Sequence, residues 1–399
     1  MSSAEFLIRP DVHIPEFLIR DVVAKLAYVD EAVAQVSVAA DGALRLQLQG
    51  EPPDAAREGE IRRKVQRAIG ILVATTREPM IRVSEDCMDR PLSCATDPMP
   101  GLLASGEVVR TGDGVYALGP LVAGLCRFFE NRLFALGLAH GGRIHRFPGM
   151  IPAEFLEKIQ YFKNFPHSLN FVSHLREDLD LIERFASETH CRDGLLQTPP
   201  QAFSQVRHLL SPTVCHNYYL FLANRRLTED PTAATAQGSC YRYESINMQT
   251  LERLWNFSMW EVIFVGSAPR VKEALVNAGR EASRLLQEWG LAYRVENATD
   301  PFFIREFGMQ AGFQNIHDLK HEYRARLPFK EGTLAVGSRN YHMDFFGRHM
   351  AITLENGAPA HSGCMGFGLE RLAFALLAQY GNDPLLWPEP VRSGVRHGP

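Results

Sequence analysis

Apolar positions alternate on both sides of Ala40-Asp41-Gly42: Val36 and Val38 precede it, and Leu44, Leu46 and Leu48 follow it. Every second side chain of a strand shares one face, and glycine supplies the positive φ of a tight turn, so 32–48 predicts a β-hairpin. A polar stretch at 51–57 gives way to spacings of three and four across 61–73, which predict an amphipathic helix. A longer run of the same kind, 121–138, stops at Gly141-Gly142 and leads into a strand-like piece at 143–151, interrupted by Pro148. Residues 211–266 read as β-rich and 271–289 as a helix. The last unit reads as a strand at 350–354 followed by a helix at 369–379, ended by Gly381. No regular strand–helix–strand rhythm runs through this order. An α+β fold with an antiparallel sheet flanked by helices is therefore expected, rather than a doubly wound one. The boundary falls near 78, giving a small α/β N-terminal extension (1–78) and a main domain (79–399). Within the extension the pentapeptide Glu-Phe-Leu-Ile-Arg at 5–9 recurs at 16–20, too few copies for a solenoid and readable as a duplication in a terminal arm.

Composition narrows the function. The 399 residues carry 42 Lys plus Arg against 46 Asp plus Glu, a formal charge of -4, which excludes a protein that grips nucleic acid mainly through bulk positive charge. Residues 1–68 hold 9 basic and 11 acidic side chains, so the extension is not an electrostatic grip for nucleic acid either. Hydrophobic content of 46% with 22% charged residues is that of a globular protein with a substantial core. No signal-peptide pattern and no membrane-length apolar run occurs, so a cytoplasmic protein is expected. The seven cysteines are scattered without a Cys-x-x-Cys pair, which indicates neither a disulfide framework nor a zinc ribbon.

Two constellations carry chemistry. Gly366-Phe-Gly-Leu-Glu-Arg371 lies between strand and helix, where glycines let a ligand approach the backbone and a guanidinium at a helix start matches phosphate oxygens. By itself this is also the sequence of an ordinary tight turn. Tyr241-Arg-Tyr-Glu244 is followed by Arg253 and Phe257. On an antiparallel hairpin, Arg242, Glu244 and Phe257 share a face and suit a phosphate, a purine amino group and a stacked base; alone they also read as a surface ion pair beside a core phenylalanine.

Taken together, these segments resemble motif 2 (about 238–264) and motif 3 (about 350–381) of class II aminoacyl-tRNA synthetases. The helix and strand at about 121–151 are similar to motif 1, the dimer-forming element of that class. The resemblance implies an adenylate-forming enzyme and a homodimer. In it Arg242 holds the α-phosphate and substrate carboxylate, Arg371 the γ-phosphate, and Phe257 and Glu244 the adenine. Arg253 is a second phosphate contact, and Gly368 lies against ATP.

Cys215, Glu261 and Cys364 resemble the zinc set of methanogen-type seryl-tRNA synthetases, shared by the amino acid:carrier protein ligases. Two thiolates and a carboxylate leave one tetrahedral position on Zn²⁺, one ion per subunit, for the substrate α-amino group. About 118 residues precede the motif 1 segment, and the first 68 of them have no basic excess, which favours the carrier-protein ligases over the tRNA enzymes. That family implies activation of a small amino acid, glycine or alanine, with ATP and Mg²⁺, and transfer to the phosphopantetheine thiol of a carrier protein. A zinc-dependent seryl-type tRNA ligase and a non-catalytic metabolite-binding paralogue stay open as alternatives. Conventional seryl enzymes hold Mg²⁺ with a Glu-x-Ser-Ser segment; the matching stretch here is Ala335-Val-Gly-Ser338, which leaves Asp344 and Glu355 as the nearest carboxylates in sequence.

Overall fold

The computed structural model describes residues 3–39, 41–50, 52–76, 78, 80–199, 201–245, 248–298 and 319–396. The N-terminal alternation becomes an antiparallel sheet of β1 (Ser3–Ile8), β2 (Val33–Val38) and β3 (Leu44–Gln49), ordered β1-β3-β2. The expected hairpin is therefore present, with Ala40 outside the described residues. Helices α1 (Ile19–Leu26) and α2 (Ala55–Thr75) share an apolar cluster with this sheet, in which Ile8, Leu18, Leu46, Val65 and Ile69 are fully buried. Asp54 caps α2 by accepting the Arg57 amide at 2.8 Å, so the helix begins ahead of its apolar spacing.

The two copies of Glu-Phe-Leu-Ile-Arg fold differently. The first lies in β1 against β3, while the second runs through a 3-10 turn (Glu16–Leu18) into α1. Pro15 fixes the chain at φ -59° just before the second copy, and β3 templates the first, so surroundings override local preference. Neither copy is a loose arm.

The main domain is built on an eight-stranded sheet. Its elements in chain order are β4 (Val83–Asp86), α3 (Pro120–Ala139), β5 (Arg143–Ile144), α4 (Cys215–Phe221), β6 (Thr232–Tyr241) and β7 (Asn256–Gly266). Then follow α5 (Ala268–Glu288), β8 (Tyr293–Asn297), β9 (Lys320–Leu327), β10 (Gly332–Met343), β11 (His361–Gly368) and α6 (Leu369–Tyr380). The strand order is β4-β8-β9-β10-β11-β7-β6-β5, antiparallel except for β5 beside β6.

Register assigns the faces. Tyr323, Gly337, Phe367 and Trp260 lie directly across from one another, and this face packs on α3, α5 and α6 through Phe129, Leu286 and Phe374. One residue along, Glu322, Ser338, Gly366 and Glu261 form the facing row on the opposite side. The helix-side row carries the large apolar side chains of Tyr323, Phe367 and Trp260, whereas the facing row carries a glycine and polar groups. That asymmetry makes room for a site.

Two expectations are corrected. Residues 350–354 are not a strand: only Thr353 forms isolated bridges, to Arg226 and Pro359. The strand entering α6 is β11, whose sequence HSGCMGFG has no β-branched residue; at Gly363 and Gly366 a Cβ would stand 2.5 Å from Leu275 and 2.8 Å from Glu261. Within 211–266, the segment Cys215–Phe221 is a helix rather than part of a β-rich run. The helices expected at 121–138, 271–289 and 369–379 are α3, α5 and α6, the last ended by Gly381 at φ 82°.

Candidate active site

Cys215 opens α4, Glu261 lies in mid-β7 and Cys364 in mid-β11. Cys364 pairs with Ile263, two residues from Glu261, so both side chains leave the same face of the sheet. The ligand atoms of the three lie within 4.8 Å of one another, all buried. Gly366 is opposite Glu261, and a Cβ there would stand 2.8 Å from Glu261 Cγ, so glycine is what lets the carboxylate lie flat on the strand. Thr213 Oγ1 donates to Glu261 Oε1 at 2.7 Å, whereas Oε2 is buried without a hydrogen-bond partner.

Three acids crowded together titrate abnormally. Burial, with the Cys364 charge second, pushes the Glu261 carboxyl up to about 8. Burial likewise raises the Cys215 thiol, whose hydrogen bond to Cys364 holds the Cys364 thiol well below its ordinary value. Three anions cannot share this pocket without a cation among them, and two sulfurs plus an orphaned carboxylate oxygen are the donor set of a zinc-type ion. The trio therefore fits a divalent metal. Asn340 Nδ2 donates to Cys364 Sγ at 3.8 Å, and Tyr219 Oη and His342 Nδ1 are 3.1 Å apart beside it. Nothing in the sequence pattern marks Asn340, Tyr219 or His342, because only the register of β10 against β11 brings the first of them to Cys364.

Arg242 follows β6, with its amide on the Trp255 carbonyl at 2.9 Å. That backbone bond closes the hairpin and sets the guanidinium over the Phe257 ring, 5.4 Å from its centroid, with Nε donating to the Pro212 carbonyl at 2.9 Å. Glu244 is ion-paired with Arg253. Arg371 lies in the first turn of α6, with Nε donating to the Glu252 carbonyl at 2.7 Å and a terminal nitrogen to the Ala335 carbonyl at 3.2 Å. Burial alone would raise the Glu244 carboxyl, but Arg253, then Arg371 and Arg242, outweigh it and hold the group below its ordinary range. Residues far apart in sequence thus meet in one electrostatic cluster. Gly368 caps α6, with the Arg371 side chain 3.7 Å from where its Cβ would be.

One anchoring residue was not foreseen. Glu370 is buried, and both its carboxylate oxygens accept the Ser258 amide at 2.9 Å, tying α6 to β7 beside Phe257. Its place between Leu369 and Arg371 in motif 3 was the available signal. Asp344 precedes a short helix (Phe345–His349) and pairs with Arg348 at 2.6 Å, and Glu355 is exposed in a turn.

No protein-family model matches the chain. Amino acid–acyl-carrier-protein ligase 1 of Bradyrhizobium diazoefficiens is 33% identical over 288 residues, covering 70% of this chain and 84% of that protein. The chain belongs to the amino acid–acyl-carrier-protein ligase family. Ligase 2 of the same organism is also 33% identical, over 256 residues, 62% of this chain and 73% of its own length. As a member of this family the protein is an ATP-dependent ligase. The ligase also matches the type-2 serine–tRNA ligase of Methanococcus aeolicus at 26% identity, over 80% of this chain and 63% of that one. In fold it is similar to the Methanopyrus kandleri seryl-tRNA synthetase solved in complex with A. aeolicus tRNASec, with a TM-score of 0.71 at 23% identity over 98% of this chain and 77% of that one. These likenesses make the ligase a class II synthetase-like protein, as the motifs led us to expect. No helix among the described residues is long and apolar enough to cross a membrane.

Proposed function

We propose that the ligase activates a small amino acid, glycine or alanine, as its aminoacyl-adenylate and transfers it to the phosphopantetheine thiol of a carrier protein. The observation that carries this reading is the placement of a metal-type trio and a guanidinium cluster around Arg242 on one side of the same sheet. An amino acid presents an amine at one end and a carboxylate at the other, and this surface offers a partner for each.

Arg242 orients the substrate carboxylate against the α-phosphate, and Arg371 takes charge at the far end of the triphosphate. Both guanidiniums are already held by backbone carbonyls, so little reorganisation accompanies binding. Phe257 supplies a face for the base, Glu244 an acceptor for its amino group, and Arg253 a second phosphate contact once it leaves Glu244. Gly368 lets the nucleotide approach the start of α6. The carboxylate oxygen attacks the α-phosphorus and expels pyrophosphate. The carrier thiol then attacks the acyl carbon, forming a thioester and releasing AMP. Cys215, Glu261 and Cys364 would hold Zn²⁺, which when bound supplies a Lewis-acid position for the substrate amine. Mg²⁺ accompanies ATP, with Asp344 and Glu355 as the carboxylates suggested by sequence order. We further assign 1–78 as an extension distinct from the synthetase-like domain, and a homodimer formed through the motif 1 segment.

A second reading, tRNA aminoacylation, is favoured by one observation: the likeness to the M. kandleri enzyme runs over 98% of the chain and so reaches into the extension. Incubation with ATP and labelled glycine, alanine or serine, with total tRNA and phosphopantetheinylated carrier proteins as competing acceptors, separates the two. Hydroxylamine-labile label on a carrier is the expected result. Label on tRNA would overturn it.

A further inference from the structure

The extension touches the motif 2 hairpin at a specific place. Tyr28, just past the end of α1, points its hydroxyl at the Tyr243 carbonyl, 3.5 Å away. That carbonyl belongs to the peptide joining Tyr243 to Glu244. The same Tyr28 ring meets His167 edge-on, with centroids 5.4 Å apart. His167 lies beside Ser168, whose carbonyl accepts the Tyr243 amide at 3.2 Å. Tyr243 packs edge-on against Trp255 at 5.0 Å, and Trp255 donates its indole N–H to Asn170. Tyr243, the residue before Glu244, is thus held from two sides, through its amide and ring by 168–170 and Trp255 of the main domain and through its carbonyl by Tyr28 of the extension. Burial, followed by the Glu244 charge, raises the Tyr28 phenol above its ordinary value, so the phenol stays protonated and donates.

We propose that Tyr28 is a positioning residue for ATP, bracing the motif 2 hairpin so that Glu244 and Arg253 face the nucleotide. The inference rests on the proposed role of motif 2 in binding ATP. It gives the extension a task within its own subunit that needs no RNA. Sequence could not have suggested it, because Tyr28 is 215 residues from the carbonyl it meets.

The test uses the full-length, zinc-loaded protein. Kd for a non-hydrolysable ATP analogue is measured by calorimetry, and KM for ATP and for the amino acid by pyrophosphate exchange. Tyr28→Ala removes the hydroxyl and the ring, and should raise the ATP Kd and KM about fivefold or more, the scale of one hydrogen bond plus a ring contact. The amino acid KM should stay within about twofold, since the metal trio is on other elements. Tyr28→Phe keeps the His167 contact and should fall between the wild type and Tyr28→Ala. It also serves as the test variant should Tyr28→Ala fail to fold. ATP binding unchanged in the folded variants would overturn the inference, as would equal rises in both KM values with a lowered melting temperature. A wild-type protein that binds no ATP would instead overturn the reading of motif 2 itself.

Discussion

Gly366 and Gly368 are two residues apart on one face of β11, and the structure assigns them opposite sensitivities. A Cβ on Gly366 would stand 2.8 Å from Glu261 Cγ and 3.2 Å from the Trp260 carbonyl. Ordinary contact begins near 3.4 Å, so Gly366→Ala must push the Glu261 side chain by more than half an ångström. Glu261 has nowhere to yield freely: it is buried, and Oε1 is tethered to Thr213. Overpacking of this kind costs about 1–3 kcal/mol. A misplaced ligand should lower zinc affinity by about 10–100-fold, the range seen when the support of a metal ligand is lost. At Gly368 the nearest atoms, all from the Arg371 side chain, are 3.7–3.8 Å away and φ is -81°, so alanine fits. Gly368→Ala should therefore bind zinc like the wild type and weaken only ATP, if the nucleotide lies against that backbone. Chelator competition gives zinc affinity, and calorimetry with an ATP analogue gives the other half. Wild-type zinc affinity in Gly366→Ala would refute the placement of Glu261, and zinc loss in both variants would refute the division of labour.

Arg371→Ala should lower pyrophosphate exchange by at least about a hundredfold while the melting temperature changes little, and Arg371→Lys should not rescue it, because an ammonium cannot reproduce the guanidinium fork. Normal exchange in the alanine variant would break the motif 3 assignment. Cys364→Ser and Glu261→Ala should each lower bound zinc and amino acid affinity together, as read by metal analysis and exchange kinetics. Unchanged zinc content would remove the trio from the metal site. His167 is held down at about 4, chiefly by burial. A base depressed in the fold costs nothing above its unfolded value near 6.5, and stability is lost as pH falls from there towards 4. The limit is about 1.4 kcal/mol per pH unit, reduced because the ring is only half-buried. The melting temperature should thus fall less steeply between pH 6.5 and 4.5 in His167→Phe than in the wild type; parallel curves would show that another group dominates.

What sequence could supply depended on how each element is made. Helices α3 and α5 were legible because each presents an apolar stripe at spacings of three and four to a single core, and α6, buried at every position but Arg371, through its long apolar run closed by Gly381. Helix α4 was not: it has seven residues, five of them buried, so no polar face marks its period. Strand β11 failed for a related reason. It is central, buried from Ser362 onward, and on its site face carries glycine where a larger residue would strike Glu261. The repeated pentapeptide adds the complementary lesson, since identical residues form a strand against β3 and a helix after Pro15.

The site was legible in its parts but not in its assembly. The guanidiniums and glycines of motifs 2 and 3 announce phosphate chemistry locally, whereas Cys215, Glu261 and Cys364 acquire meaning only through register. Slipping β11 by one residue against β7 would turn Cys364 to the helix face and leave Glu261 without a thiolate from that strand. That register is enforced from the opposite side of the sheet. Phe367 and Met365 of β11 are buried with Trp260 of β7 against α3, α5 and α6, and a slip of β11 would place both among the polar groups of the site. The apolar core behind the sheet therefore fixes the position of the metal ligands in front of it. Gly366 and Gly368 keep that front face open, and this is why a strand that reads poorly as a strand is the one on which the proposed chemistry depends.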